Sequence, residues 1–276
     1  MLFGIPESES PNLYILGVPW DKSSSYRLGA ALGPDAIREA TTGELYNSFT
    51  ENLVNLAERY SYRDLGNVRA ETFEGLVKEV EQIVARYYSG ELFLFLGGDH
   101  AITYATFRAV KRAAGGELGL LYFDAHPDMY PEYYGNPYSH ACTVRRLVEE
   151  GLVKGENVVQ IGVRAPTKEQ LEFAEEQGIK IVTASEVWLG KRIEVPFERA
   201  YLSFDMDVLD PAFAPGVGNP EPGGLSTREL VEVIKGLNVE VVAFDIVELN
   251  PNYDYKGITT FAAAKIIREV LGKSAG

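Results

Sequence analysis

The chain has 276 residues, 46% of them apolar and 24% charged, which suits a globular protein with a substantial core. Its 26 basic and 40 acidic side chains leave a formal charge of −14, which argues against nucleic acid as a partner and favours cationic ones in the approach. The single cysteine, Cys142, excludes an intrachain disulfide framework. With a short acidic start unlike a signal peptide and no apolar run of membrane-spanning length, it points to the cytoplasm and to no membrane partner.

In chain order, Leu13–Val18 is the first apolar run and reads as a strand. A polar loop, Pro19–Gly33, follows, and Pro34 opens a helix through Asp35-Ala36-Ile37-Arg38. Leu76, Val80, Ile83, Val84 and Tyr87 recur at helical spacing within 72–88. A strand over Leu92–Leu96, a helix over Ile102–Ala114 ended by Gly115-Gly116, and a strand over Leu118–Phe123 come next. Residues 131–138, rich in Tyr, Pro and Gly, read as a loop, and a helix runs from about His140 to Glu150. Then come a strand at 158–162, a helix at 168–177, a short strand at 179–182 and a strand at 201–204. Residues 209–226 hold four prolines and four glycines, a long irregular segment of the kind that is usually functional or disordered. A helix from Thr227, a β-rich run at 239–247 and a helix at 258–271 close the chain. Strands alternate with helices without a linker or a repeat, which predicts one parallel α/β domain over residues 1–276, with helices on both faces of the sheet.

Three of the apolar runs end in side chains that bind metals. Leu92–Leu96 stops at Gly97-Gly98-Asp99-His100. Leu118–Phe123 runs into Asp124-Ala125-His126-Pro127-Asp128. Tyr201–Phe204 runs into Asp205-Met206-Asp207. Residues two apart on a strand share a face, so a strand persisting past Phe123 would point Asp124, His126 and Asp128 the same way. In open α/β sheets ligands bind at the carboxyl ends of the strands. An aspartate after a strand commonly caps the next helix, which accounts for Asp99 or Asp210 but poorly for the two Asp-x-His/Asp pairs. Two imidazoles and four carboxylates exceed the needs of one ion, and four carboxylates balance two divalent cations. An oxygen and nitrogen set without thiolate suits Mn²⁺, with Zn²⁺, Co²⁺, Ni²⁺ or Fe²⁺ as alternatives. A metal pair activates water, so hydrolysis is the expected reaction class. Gly216-x-Gly218 opens no helix and is discounted as a dinucleotide fingerprint. Cys142 reads as structural, and the cluster of Tyr122, Tyr130, Tyr133, Tyr134 and Tyr138 as packing.

With these motifs assembled, the chain resembles the ureohydrolase (arginase/agmatinase) family over about residues 15–267. The resemblance is carried by Gly97–His100, Asp124–Asp128, Ser203–Pro211 continuing through Ala214-Pro215-Gly216, and Asp245–Pro251. It implies a three-layer α/β/α sandwich, two metal ions, a small cationic guanidino substrate and a homo-oligomer, trimeric or hexameric. By position, it places one ion on His100, Asp124, Asp128 and Asp205, and the other on Asp124, His126, Asp205 and Asp207. His140 matches a histidine proposed as proton shuttle, Glu248 a carboxylate that holds the guanidinium, and Asp128 the group that orients the attacking water. The 128–140 loop departs from that of arginase, and Asn219 stands where many relatives carry Thr. The loop and the Glu221–Leu225 continuation look closer to archaeal and bacterial agmatinases, which implies agmatine cleavage to putrescine in polyamine biosynthesis. Aminopropylagmatine is the nearest competitor, followed by arginine and other guanidino or formimino compounds. A one-zinc deacetylase of related fold and a metal-stabilised binding protein are the readings from other classes.

Overall fold

A computed structural model describes residues 1–43 and 46–274. The expected extent of 1–276 therefore takes in residues 44, 45, 275 and 276, which lie outside the described residues. Eight parallel strands form one sheet: β1 (Leu13–Val18), β2 (Tyr62–Asn67), β3 (Leu92–Gly97), β4 (Gly119–Phe123), β5 (Val158–Val163), β6 (Lys180–Thr183), β7 (Arg199–Asp205) and β8 (Glu240–Val247). Their spatial order is β2-β1-β3-β8-β7-β4-β5-β6. β3, β8, β7 and β4 are thus consecutive at the centre of the sheet, although β7 and β8 come late in the chain. A parallel sheet has both faces covered, so its central strands read as unbroken apolar runs rather than alternating ones. All residues of β1, β3, β4 and β5 are buried.

The pleat divides these runs between two cores. Leu92, Leu94 and Leu96 face one core with Leu121, Phe123 and Phe204. Phe93 and Phe95 face the other with Leu120, Tyr122 and Tyr201. The first core is closed by α1 (Gly33–Thr41), α2 (Leu56–Arg59), α7 (Ala184–Trp188), α8 (Thr227–Gly236) and α9 (Ile258–Ser274). The second is closed by α3 (Phe73–Tyr87), α4 (Ile102–Ala114), α5 (Thr143–Glu149) and α6 (Lys168–Gln177). This is the expected three-layer α/β/α sandwich with a parallel sheet.

Most predicted elements fall within a residue or two of their place, and α4 and α6 match their predicted bounds. The reading missed β2, whose sequence Tyr-Arg-Asp-Leu-Gly-Asn carries little apolar signal because it is an edge strand, paired along its length with β1 alone and bridged on its other side by Glu7 at Tyr62. It also missed the short helices α2 and α7. The helix expected from His140 begins as a 3-10 turn over His140–Cys142 and becomes α-helical at Thr143.

One correction bears on the site. β4 stops at Phe123, so Asp124–Asp128 is a loop and strand alternation does not bring these three side chains together. Asp128 instead sits in the left-handed region at φ 52°. The loop is tied down by Asp124 N–H donating to the Ile161 carbonyl (3.0 Å) and Arg164 N–H to the Ala125 carbonyl (2.9 Å). Gln160 Nε2 donates to the Pro127 carbonyl (2.6 Å) from inside the sheet.

Candidate metal centre and active site

The carboxyl ends of the four central strands meet at one point. β3 delivers His100, β4 delivers Asp124, His126 and Asp128, β7 delivers Asp205 and Asp207, and β8 delivers Glu248. His100 Nδ1 lies 2.9 Å from Asp124 Oδ2, 3.2 Å from Asp205 Oδ2 and 3.4 Å from Asp128 Oδ2. His126 Nδ1 lies 3.0 Å from Asp207 Oδ2 and 3.5 Å from Asp124 Oδ1. All six candidate ligands therefore converge, in two groups that share Asp124: His100, Asp124 and Asp128, and Asp124, His126 and Asp207. Asp205 joins the first group through its contact with His100.

His100 and Asp124 are fully buried, yet His100 Nδ1 and Asp124 Oδ2 make no well-formed hydrogen bond, although each lies within reach of the other. Orphaned buried polar atoms are costly, and a cation between them removes the cost. Without one, the carboxylates cannot all stay charged. Burial and the Asp124 charge push Asp128 up to about 8. Burial and the neighbouring aspartates raise Asp205 and Asp207. Burial opposes charge on Asp124 as well, but His100 and His126 outweigh it and hold that carboxyl low. Burial opposes charge on both histidines, and the surrounding aspartates more than compensate, so both lie above the ordinary imidazole value. An acceptor-rich oxygen and nitrogen set with surplus negative charge fits divalent cations.

Several residues that hold the ligands in place were given no part in the site from sequence. Tyr122 stacks on His100 (ring centroids 4.2 Å apart) and donates to Asp128 Oδ2 (2.7 Å). His100 Nε2 lies 2.8 Å from Ser203 Oγ, which donates to Asp245 Oδ1 (2.8 Å). The Asp245 carboxylate also accepts from Thr103 Oγ1 (2.8 Å) and Tyr201 OH (2.7 Å). Such outer partners fix the tautomer and orientation of a ligating imidazole. Tyr122, Ser203 and Asp245 are register partners across β4, β7 and β8, where each interrupts an apolar run, and that interruption was the available signal. Asp205 Oδ1 does cap the 3-10 turn over Met206–Val208, accepting from Asp207 N–H (2.7 Å), so capping and convergence coexist there.

Beside the ligand cluster, Glu248 takes φ 61° and turns its carboxylate back toward the site. Oε1 accepts from His100 N–H (2.9 Å) and lies 3.0 Å from His140 Nδ1. Burial opposes charge on His140, but the hydrogen bond and charge of Glu248 outweigh it and raise the imidazole to about 9. Oε2 faces Gly218, where an added Cβ would stand 3.2 Å away.

The long 209–226 segment is fixed from several sides. Asp210 Oδ2 accepts from Gly223 N–H (2.7 Å) and Gly224 N–H (3.1 Å), and Arg164 Nη2 donates to the carbonyls of Asp207 and Glu221 (2.6 Å each). Among the tyrosines expected to be packing, Tyr122 is buried, whereas Tyr130 and Tyr133 line the cavity above the cluster. That cavity, of about 180 Å³, also reaches Ser25, His126, Asp128, His140, Asp205, Asp207, Asn219 and Glu248. Cys142 is buried, and burial pushes its thiol up to about 12.

The arginase-family model, described as "Arginase family", matches residues 11–272. The chain belongs to the arginase family. Among relatives, a guanidinobutyrase from Pseudomonas aeruginosa is 37% identical, with 97% of this chain and 89% of the relative covered. An agmatinase from Bacillus cereus is 33% identical, with 96% and 93% covered. The solved structure of proclavaminate amidinohydrolase from Streptomyces clavuligerus superposes with a TM-score of 0.89 at 32% identity, with 99% of this chain and 95% of that one covered. As a member of the arginase family, the chain is a hydrolase of amidino carbon–nitrogen bonds in guanidino compounds. Relatives at nearly equal identity carry different substrate names, so similarity alone does not select a substrate. No helix among the described residues is long and apolar enough to cross a membrane.

Proposed function

We propose that the protein hydrolyses a decarboxylated guanidinoalkylamine, agmatine or its aminopropyl derivative, to urea and an amine, using two divalent cations, Mn²⁺ foremost. The observation that carries the substrate reading is the cavity lining. Among the described residues that line it there is no lysine or arginine, whereas four carboxylates do: Asp128, Asp205, Asp207 and Glu248. At the substrate end away from the ions, an α-carboxylate would meet no lysine or arginine in this lining and lack a cationic partner, which is costly, while an ammonium group there meets tyrosine faces and the amide oxygens of Gln170 and Asn219.

His100, Asp124, Asp128 and Asp205 would hold one ion, and Asp124, His126, Asp205 and Asp207 the other. Bound there, the pair supplies the positive charge that balances the carboxylates and the Lewis acidity that activates water near neutral pH. Glu248 Oε2, the oxygen not committed to His100 and His140, accepts from the planar guanidinium and sets its orientation. Asp128, held by Tyr122, orients the attacking water through its carboxylate. His140, with Nδ1 committed to Glu248, presents Nε2 as the nitrogen that passes a proton to the departing amine. The carbon–nitrogen bond then breaks to release urea and the protonated amine.

Urea release should be compared over agmatine, aminopropylagmatine, arginine, guanidinobutyrate and formiminoglutamate, with Mn²⁺ supplied and ionic strength fixed, because long-range charge steering is screened by salt. The expected result is a kcat/KM for a decarboxylated guanidinoalkylamine exceeding that for arginine by about tenfold or more. Equal or better efficiency with arginine would overturn the substrate reading and leave the family assignment standing.

A further inference from the structure

The loop after β1, residues 19–29, places two serines on one histidine. Ser23 Oγ donates to the buried Asp99 Oδ2 (2.7 Å) and accepts from the backbone N–H of His140 (3.0 Å). Ser25 Oγ lies 3.1 Å from His140 Nε2 and accepts from Asn219 Nδ2 at 3.4 Å.

The loop is built rather than draped. Asp99 N–H donates to the Trp20 carbonyl (2.6 Å). This close approach requires glycine at 98, where a Cβ would fall 1.8 Å from that carbonyl oxygen. Asp21 Oδ2 accepts from Gly29 N–H (2.9 Å), and Asn250 Nδ2 donates to the carbonyls of Arg27 (3.0 Å) and Leu28 (3.2 Å). The Ser25 hydroxyl thus reaches the cavity from a fixed support.

An imidazole held at one nitrogen can still pivot about that contact. Glu248 holds Nδ1, and Ser25 lies at the opposite nitrogen. A hydroxyl suits this position because it both donates and accepts. Toward the neutral ring, Ser25 O–H donates to the Nε2 lone pair. Toward the charged ring, Ser25 Oγ accepts from Nε2–H and keeps a second lone pair for Asn219.

We propose that Ser25, supported by Asn219, is a positioning residue for His140, holding Nε2 in the cavity in both protonation states of the ring. The proposal rests on the role given to His140 above.

The test compares wild type with Ser25→Ala, Ser25→Thr, His140→Ala and the Ser25→Ala/His140→Ala double variant, using whichever guanidino compound the wild type cleaves best. Ser25→Ala should lower kcat about tenfold with KM moved by no more than about twofold, the loss expected of one hydrogen bond to a group that becomes charged. Ser25→Thr should restore most of the rate, metal content should stay at the wild-type value, and Ser25→Ala should cost nothing further in the His140→Ala background. A raised KM with unchanged kcat, or an equal loss of kcat with and without His140, would overturn the proposal. The ring can also be read directly. With only three histidines in the chain, long-range ¹H–¹⁵N spectra of the protein loaded with diamagnetic Zn²⁺ report each imidazole separately. One Nε2 resonance should shift in Ser25→Ala and return in Ser25→Thr; identical wild-type and Ser25→Ala spectra would overturn the contact. If wild type releases urea from none of the compounds, the amidinohydrolase reading fails on its own, while the spectra still decide whether Ser25 holds the ring.

Discussion

Ser203→Ala is the smallest change that isolates one half of the proposed metal pair. His100 is fully buried, and its Nε2 has Ser203 Oγ, 2.8 Å away, as its hydrogen-bond partner. Nδ1 faces the aspartates, so a ligating neutral ring carries its proton on Nε2 and donates it to Ser203, which donates onward to Asp245. Removing the hydroxyl leaves that buried N–H unpaired, at about 1–3 kcal/mol. Loss of such an outer partner elsewhere lowers metal affinity roughly 10–100-fold, which is about 1.4–2.7 kcal/mol, so the two routes agree. Mn²⁺ is titrated into chelator-stripped wild type and variant, with His100→Ala and His126→Ala as references for the two halves. The expected result is a weakened first ion and an unaltered second: the variant should shift toward His100→Ala and leave the His126 half alone. Unchanged affinity at both halves in a folded variant, or weakening confined to the His126 half, would refute the reasoning. Asp245→Asn should act in the same direction and also lower the thermal midpoint, because Ser203, Thr103 and Tyr201 all donate to that carboxylate.

Three further outcomes can be checked. His140→Ala should retain both ions by elemental analysis, since the residue is not a proposed ligand, while kcat falls by about 10²–10⁴; loss of metal with the rate kept would reverse the assigned roles. Gly218→Ala places a methyl group 3.2 Å from Glu248 Oε2, so KM for the guanidino substrate should rise with metal content unchanged; an unaltered KM would mean that this oxygen does not meet the substrate. Glu51 bridges Arg228, Lys235 and Lys265 across α8 and α9, and these cations hold its carboxyl below its ordinary value near 4.5. Its stabilisation is therefore complete above that value and fades as pH falls through the range beneath it. Glu51→Gln should lower the thermal midpoint at pH 7 by about 1–3 °C, a small effect because the cluster is partly solvated, and the gap from wild type should narrow progressively as pH falls below that ordinary value; a gap that widened with acid would show the sign to be wrong.

What the sequence made legible follows from burial. The central strands lie in a sheet covered on both faces, so they appear as runs such as Leu-Phe-Leu-Phe-Leu, and polar residues after them stand out. That contrast exposes His100, Asp124, His126, Asp128, Asp205 and Asp207 without any knowledge of strand order. It does not show β2, which after Tyr62 is half-buried or exposed at the sheet edge. Nor does it show the serines at 23 and 25, which lie in a polar loop where serine is the ordinary residue. Their use depends on contacts between residues more than 70 positions apart, such as Ser23 with Asp99 and Ser25 with His140. Local pattern carries no trace of such a pairing.

The failed expectation about the strand after Phe123 points to how the site is assembled. Had β4 continued, Asp124, His126 and Asp128 would stand in a row along one face, spaced by the strand repeat of roughly 6.6–7 Å. Ligands of one compact cluster must approach more closely than that. The loop gains that freedom by placing Asp128 at φ 52°, and the chain just past β8 places Glu248 at φ 61°. Non-glycine residues in this region cost about 1–3 kcal/mol each and persist where surrounding contacts over-determine them. Here those contacts are Tyr122 on the Asp128 carboxylate, Gln160 on the Pro127 carbonyl, and the two N–H donors that meet Glu248 Oε1. At Asp128 the turned backbone brings the carboxylate against His100; at Glu248 it leaves Oε2 free beside Gly218. A glycine at either position would relieve the backbone and delete the carboxylate, so the strain is retained with the chemistry it positions.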